Sequence, residues 1–165
     1  MLTTLQIRDL AVVAALDLEL KSGLSVLTGE TGAGKSILLT ALGLALGDRA
    51  DSGFVRPGSP RAEVCAEFDL RHAPDIRQWL AEHELDGEDS ALIRRTVAAD
   101  GRSKAYINDR PVTLQALQEF AGNLVEIHGQ HAHVKLLQNK EQRRLLDEAA
   151  GNAALLSQLD GHYKR

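Results

Sequence analysis

Residues 29–36 read Gly29-Glu30-Thr31-Gly32-Ala33-Gly34-Lys35-Ser36, which matches the phosphate-loop pattern G-x-x-x-x-G-K-S/T at every position. A short apolar run, Leu24–Thr28, precedes the motif and predicts a buried strand. The following segment, Lys35–Leu46, is rich in Leu, Ala and Ile and predicts a helix that stops at Gly47. Strand, glycine-rich loop and helix in this order are the context in which the motif binds phosphate, and they argue against an accidental glycine-rich turn.

Each residue type in the motif has a physical role. The glycines allow a tight turn that points backbone N–H groups at phosphate oxygens, and the helix N-terminus adds the positive end of its dipole. Lys35 is expected to reach the β- and γ-phosphates, and Ser36 to place its hydroxyl on Mg²⁺. We therefore predict binding of ATP with Mg²⁺. The predicted nucleotide-binding residues are Gly29, Glu30, Thr31, Gly32, Ala33, Gly34, Lys35 and Ser36.

Alternation of apolar and polar residues predicts the remaining strands. These are Met1–Asp9, Ala15–Leu20, Ala62–Leu70, Ala91–Val97, Ser103–Asn108 and a short one at Leu124–His128. Helices are expected over Pro74–Glu84, Thr113–Gly122 and from Asn139 to Arg165, with a break at Gly151–Asn152. The pair Asp100–Gly101 indicates a hairpin turn. The expected fold is α/β: a mixed sheet with an antiparallel N-terminal portion, around the phosphate loop and its helix.

Composition is that of an ordinary soluble domain. The 165 residues are 44% hydrophobic and 25% charged, with one cysteine, Cys65, which we expect to be a buried small hydrophobe. No signal-peptide pattern opens the chain, and we expect an intracellular protein. The net charge is −4, but Ala91–Pro111 holds five basic and two acidic residues, a local excess of +3 that leaves −7 elsewhere. From charge alone, a solvated hairpin is the simpler interpretation of that excess.

Several further segments occur in a characteristic order. The phosphate loop is followed by Ala41-Leu42-Gly43-Leu44-Ala45-Leu46-Gly47-Asp48-Arg49-Ala50 and then by Val55-Arg56-Pro57-Gly58. Next come Asp100-Gly101-Arg102-Ser103-Lys104-Ala105-Tyr106-Ile107-Asn108 and Ile127-His128-Gly129-Gln130-His131-Ala132-His133. This order and spacing resembles the N-terminal part of the RecN family of bacterial DNA repair proteins, SMC-like members of the ABC ATPase class. The resemblance covers nearly the whole chain.

The resemblance implies an ATPase head split between two lobes. Residues 1–138 would form the N-terminal lobe, and residues 139–165 the helical start of a coiled coil that leads to a C-terminal lobe. Gln130 matches the glutamine that helps coordinate Mg²⁺ and the attacking water, so Lys35 and Gln130 are the predicted catalytic residues and Ser36 and Gln130 the predicted metal ligands. Arg56 matches a DNA-sensing arginine of related heads.

The partners implied by the resemblance are the C-terminal lobe of the same protein, a second head joined through the nucleotide, and DNA bound without sequence preference. No membrane partner is expected, and the protein is expected in the cytoplasm, associated with the nucleoid. The resemblance implies a role in recombinational repair of DNA double-strand breaks. The predicted DNA contacts are Arg56, Arg94, Arg95, Arg102 and Lys104.

Two motifs needed for hydrolysis are missing from the sequence. There is no Ser-Gly-Gly signature and no aliphatic strand that ends in Asp-Glu. The segment Leu145-Leu146-Asp147-Glu148 is preceded by Arg143 and Arg144 in helical surroundings, and a buried strand would not tolerate those charges. We therefore expect ATP hydrolysis only when a C-terminal lobe completes the site.

Other functions stay open at this point. A self-contained small P-loop kinase would need an arginine-rich lid, whereas the arginines here are scattered. A nucleotide-binding interaction module without catalysis is the second alternative. The histidines His128, His131 and His133 could suggest zinc, but no cysteine or acidic cluster adjoins them.

Overall fold

The computed structural model describes residues 1–29, 34–125 and 139–163. The predicted site residues Glu30, Thr31, Gly32, Ala33 and Gln130 lie outside these ranges, as do His128, His131 and His133. By its internal contacts the chain divides into two compact units, Met1–Val125 and Glu126–Arg165. The boundary predicted after residue 138 stays a prediction.

The first unit contains the strands and three helices of the described chain. The strands are β1 (Leu2–Leu10), β2 (Val13–Glu19), β3 (Arg61–Asp69), β4 (Ser90–Ala98), β5 (Ser103–Ile107) and β6 (Arg110–Val112). The helices are α1 (Lys35–Ala45), α2 (Pro74–Glu82) and α3 (Leu114–Leu124), with a 3₁₀ turn at Ser52–Phe54. In the second unit, α4 (Asn139–Ala149) and α5 (Ala153–Tyr163) are separated at Gly151–Asn152, as predicted.

Within the described residues the strands form one sheet in the order β2-β1-β3-β4-β5-β6, and each neighbouring pair is antiparallel. The α/β class and the antiparallel N-terminal portion are confirmed, and the parallel pairs that a mixed sheet requires are not among the described strands. Alternation sets the two faces, since β3 buries Ala62, Val64, Ala66 and Phe68 and leaves the residues between them partly exposed. The buried face packs against α1, while α2 and α3 contact each other.

The connection between β4 and β5 is the hairpin that Asp100–Gly101 predicted. Gly101 has a φ of +85°, a left-handed conformation that glycine adopts without strain. The backbone N–H of Ala98 donates to the carbonyl of Arg102 at 2.8 Å, which closes the turn. The basic segment Ala91–Pro111 is therefore held by the antiparallel pairing of β4 with β5.

Two predicted strands differ from the structure. Leu24–Thr28 is not a strand, and Leu24 is 92% exposed. An apolar run forms a buried strand only when a neighbour supplies its hydrogen bonds, and no described strand pairs with this one. The predicted strand Leu124–His128 was also wrong at its start, because Leu124 ends α3, and residues 126–128 lie outside the described chain.

Trp79 and Cys65 take structural positions. The indole of Trp79 packs partly buried against the core, 5.3 Å from the ring of Phe120, as expected of a core residue. Cys65 is half-buried on the outward side of β3 rather than fully buried. Burial raises the pKa of its thiol, and Glu63 adds to that shift, so Cys65 has little thiolate character at neutral pH.

Candidate nucleotide-binding site

The described part of the phosphate loop meets the N-terminus of α1. Gly34 directly precedes the helix with φ +124° and ψ −29°, a conformation that favours glycine. Lys35 and Ser36 are the first two residues of α1, and the N–H of Leu38 makes a helical bond to the carbonyl of Gly34 at 3.2 Å. The N–H groups of the first turn are thus open to an outside acceptor.

No described side chain caps this helix end, and its first turn holds no acidic residue. The positive end of the helix dipole is therefore not neutralised by the described residues. The ammonium group of Lys35 donates to the carbonyl oxygen of Gly29, across the loop, and Ser36 is exposed. One cation, one hydroxyl and a helix N-terminus lie together, which is an arrangement that attracts phosphate.

The opposite side of α1 fixes this N-terminus in place. Ala41, Leu44 and Ala45 are buried against the sheet. After the C-cap Leu46 comes Gly47, whose φ is +102°, and the N–H of Asp48 donates to the carbonyl of Gly43 at 2.9 Å, which is the Schellman arrangement. The N-terminus of α1, where phosphate is predicted to bind, is therefore held in place by the packing of the helix against the sheet.

The predicted DNA-contact residues are not on one surface. Arg94, Arg102 and Lys104 line a single groove on the outward side of β4 and β5. Arg56 lies on the loop before β3, 3.8 Å from a carboxylate oxygen of Asp9. Arg95 is only 3% exposed, so the expectation that it meets DNA is corrected.

The reason for the correction is strand periodicity. The buried residues of β4 are Ala91, Ile93, Arg95 and Val97, so Arg95 shares the core face with apolar residues. Its guanidinium donates to the Ser103 hydroxyl at 3.0 Å, and its Nε has no hydrogen-bond partner among the described residues. Burial lowers the pKa of Arg95.

The groove also contains residues that the sequence reading missed. Arg61 and Tyr106 line it together with the three predicted cations, and the groove has a volume of about 290 Å³. Alternation within β5 could have placed Tyr106 beside Lys104 on one face. Arg61 could not have been assigned to the groove without the register of β3 against β4.

Within the described residues, no helix is long and apolar enough to span a membrane.

Comparisons with known proteins test the resemblance. The chain is 47% identical to the DNA repair protein RecN of Haemophilus influenzae, over 99% of this chain and 30% of that protein. It is 51% identical to RecN of Xylella fastidiosa strain Temecula1, over 92% of this chain and 27% of that protein. RecN of Bacillus subtilis is 36% identical over 99% of this chain and 29% of its own length. The chain thus spans about three tenths of the length of these curated relatives.

Solved structures support the fold. One matching structure comes from work on the structural biochemistry of ATP-driven dimerisation and DNA-stimulated activation of SMC ATPases. It matches with a TM-score of 0.65 at 22% identity, over 90% of this chain and 98% of that chain. A second match is the Smc head domain of Pyrococcus furiosus with an extended coiled coil, bound to the C-terminal domain of ScpA. The TM-score is 0.69 at 21% identity, over 99% of this chain and 45% of that chain. At these identities the likeness establishes the fold of an SMC-type head.

A protein-family model described as an AAA domain matches residues 4–160, which is nearly the whole chain. The resemblance predicted from the motifs is confirmed, and the chain belongs to the AAA-domain family.

Proposed function

We propose that this chain is the ATP-binding part of an SMC-like ATPase head that acts in DNA repair. The observation that carries the proposal is the phosphate-loop sequence Gly29–Ser36, whose last two residues begin α1 and whose helix end no described side chain caps, in a chain similar to RecN proteins. A glycine-rich loop that leads into a helix N-terminus is a site for the phosphates of a nucleotide. The relatives are named DNA repair proteins, and repair of DNA double-strand breaks in particular is what the motif resemblance implies.

The start of α1 and the predicted residue Gln130 would share the task of holding the nucleotide and its metal ion. Backbone N–H groups at the start of α1 would meet phosphate oxygens, and Lys35 would release the carbonyl of Gly29 to reach them. Mg²⁺ would be held by the Ser36 hydroxyl with Gln130 as a second ligand, and when bound it would neutralise charge on the transferred phosphoryl group. Exchange of a carbonyl for a phosphate is favourable for Lys35 because the new partner is charged.

A completing lobe is needed for turnover in this proposal. The sequence lacks the Ser-Gly-Gly signature and an aliphatic strand that ends in Asp-Glu. The apolar side chains of Leu24, Val26 and Leu27 are exposed in the described structure. Exposed apolar residues next to a phosphate loop favour a protein partner there. We assign that place to the C-terminal lobe of the same polypeptide, with a second head and DNA as further partners.

The test is ATP hydrolysis by this chain alone and after mixing with a separately made C-terminal lobe. We expect no turnover alone and turnover on mixing that Lys35→Ala abolishes. Lys21→Ala is the matched control, because Lys21 is an exposed lysine outside the loop. Robust hydrolysis by the isolated chain would contradict the split site. Turnover on mixing that survives Lys35→Ala would contradict the assignment of the phosphate loop.

A further inference from the structure

The outward groove of the β4–β5 hairpin collects positive charge. Its lining includes Arg61, Arg94, Arg102, Lys104 and Tyr106, with Thr96 and Ala98 between them. In the register of the sheet, Tyr106 lies opposite Arg94, Lys104 opposite Thr96, and Arg61 opposite Ala98. Residues opposite each other share a face of the sheet, so these side chains point to the same side. The groove is therefore cationic along three adjacent strands.

The four cations are not equivalent. Arg102 pairs with Asp100 at 2.7 Å, and Arg94 pairs with Asp109 at 3.1 Å. Arg61 and Lys104 have no ion pair or side-chain hydrogen bond with any residue that the structure describes. Two cations are thus fixed by carboxylates, and the other two are available to a ligand.

Arg94 has a second contact that sets its orientation. Its guanidinium carbon lies 4.1 Å from the centroid of the Tyr106 ring, and its side chain is 29% exposed. A guanidinium held over an aromatic ring is a planar cationic surface whose position is set before any ligand arrives. Unpaired nucleobases stack on such guanidinium planes and on aromatic rings.

The spread of the free cations indicates the size of the ligand. Arg61 is on β3 and Lys104 on β5, two strand spacings apart across the sheet and offset by two residues along it, which is about 12 Å between their backbones. That separation suits successive phosphates of a chain better than a single phosphate. On the outward side of β3, Glu63 and Glu67 flank Cys65, and Glu63 lies opposite the groove residue Thr96. These carboxylates border the groove on the β3 side, so a polyanion is directed toward the β4–β5 hairpin.

We infer that this groove binds a single strand of DNA, with Arg61 and Lys104 on neighbouring phosphates and an unpaired base on the Arg94 guanidinium above Tyr106. Bases inside a duplex are already stacked and do not offer a free face, so the geometry selects the unpaired strand. The inference rests on the DNA-repair role proposed above, and it names the form of DNA and the residues that hold it. Binding is without sequence preference, since every base has a π-face.

The test is fluorescence anisotropy of a labelled oligothymidine of about 16 nucleotides, titrated with this chain between about 50 and 200 mM salt. The double variant Arg61→Gln/Lys104→Gln is expected to lower the slope of log affinity against log salt by about 1.4, because two phosphate contacts are lost. Arg94→Lys keeps the positive charge opposite Asp109 but removes the planar guanidinium above the Tyr106 ring. This variant is expected to bind the oligonucleotide about tenfold more weakly.

The control is Lys21→Gln/Arg77→Gln, which removes two exposed cations outside the groove and is expected to leave binding unchanged. The inference is overturned if the groove variants bind like this control, or if a duplex of the same length binds as tightly as the single strand. Tighter binding of oligouridine than of oligothymidine would assign the groove to RNA and overturn the DNA assignment.

The same data separate this inference from the proposed function. If the wild type binds oligothymidine and the groove variants bind equally well, only the groove assignment fails. If the wild type binds no oligonucleotide at about 50 mM salt, the groove and the DNA part of the proposed function both fail. Nucleotide binding that depends on Lys35 would stand in either case.

Discussion

The side-chain amide of Gln118 donates a hydrogen bond of 2.7 Å to the backbone carbonyl of Gly47. This bond joins α3 to the C-terminal end of α1, and it brings the two residues so close that a Cβ on Gly47 would lie 2.6 Å from Cγ of Gln118. The contact therefore requires glycine at position 47 both for space and for its φ of +102°.

Gly47→Ala should lower the free energy of unfolding by about 1–3 kcal/mol, from left-handed strain and displacement of Gln118. Urea denaturation measures this. Gly122→Ala is the matched control, because Gly122 lies inside α3 and no described atom is within 4 Å of its added Cβ. That control should be neutral or stabilising by about 0.5–1 kcal/mol. Equal effects of the two substitutions would contradict the contact.

Gly34→Ala should act on nucleotide binding more than on folding. The added Cβ meets no atom of a described residue within 4 Å, but φ +124° is strained for alanine, so the loop should move away from the start of α1. We expect affinity for a fluorescent ATP analogue to fall at least about tenfold, which corresponds to about 1.4 kcal/mol of strain. Undiminished affinity in a folded variant would show that the loop tolerates other conformations.

Arg95→Met should leave the unfolding free energy unchanged or raise it. The guanidinium is desolvated with the Ser103 hydroxyl as its described hydrogen-bond partner, and a well-packed apolar side chain of similar length avoids that cost. Arg95→Ala is the comparison and should destabilise by about 2–4 kcal/mol through a cavity. If Arg95→Met is as damaging as Arg95→Ala, a polar partner of Arg95 must exist beyond Ser103.

Acid should weaken the fold partly through Asp69. Its carboxylate accepts hydrogen bonds from the side chain and the backbone of Arg71, which hold the pKa of Asp69 well below its usual value. A lowered folded-state pKa means that the stabilisation is present above about pH 4, the unfolded value, and is lost as pH falls through the folded value.

Asp69→Asn should therefore reduce stability at pH 7 and make the unfolding free energy less sensitive to pH below about 4. Thermal unfolding over a series of acid pH values measures this. Asp86→Asn is the control, an exposed aspartate with no partner among the described residues. An identical acid profile for the two variants would remove Asp69 from the acid response.

The sequence was informative wherever local patterning decides the structure. Alternation located β3 to within a residue at each end, and Asp100–Gly101 located the hairpin. The sequence also contained a signal that the prediction did not use. Arg95 is two residues from both Ile93 and Val97, so in an alternating strand it lies on the same buried face. Leu24–Thr28 shows the limit, because an apolar run cannot report whether a neighbouring strand will be present to pair with it.

The candidate site divides in the same way. The motif Gly29–Ser36 predicted the start of α1 at Lys35, since its spacing is a local property, while residues 30–33 lie outside the described chain. The groove could not be assembled from sequence, because Arg61 and Lys104 are far apart in the chain and are brought to one face of the sheet only by strand register. Register depends on the pairing of whole strands and on the turn between them.

The two ends of α1 are marked by glycines that are held for unrelated reasons. Gly34 shapes the approach to the phosphate loop, and Gly47 makes room for Gln118. Selection on cellular protein abundance would act on Gly47, and selection on nucleotide use would act on Gly34. Among natural variants of this chain, the two positions could look equally invariant, and only a pooled screen that scores abundance and ligand binding separately would tell a folding constraint from a functional one.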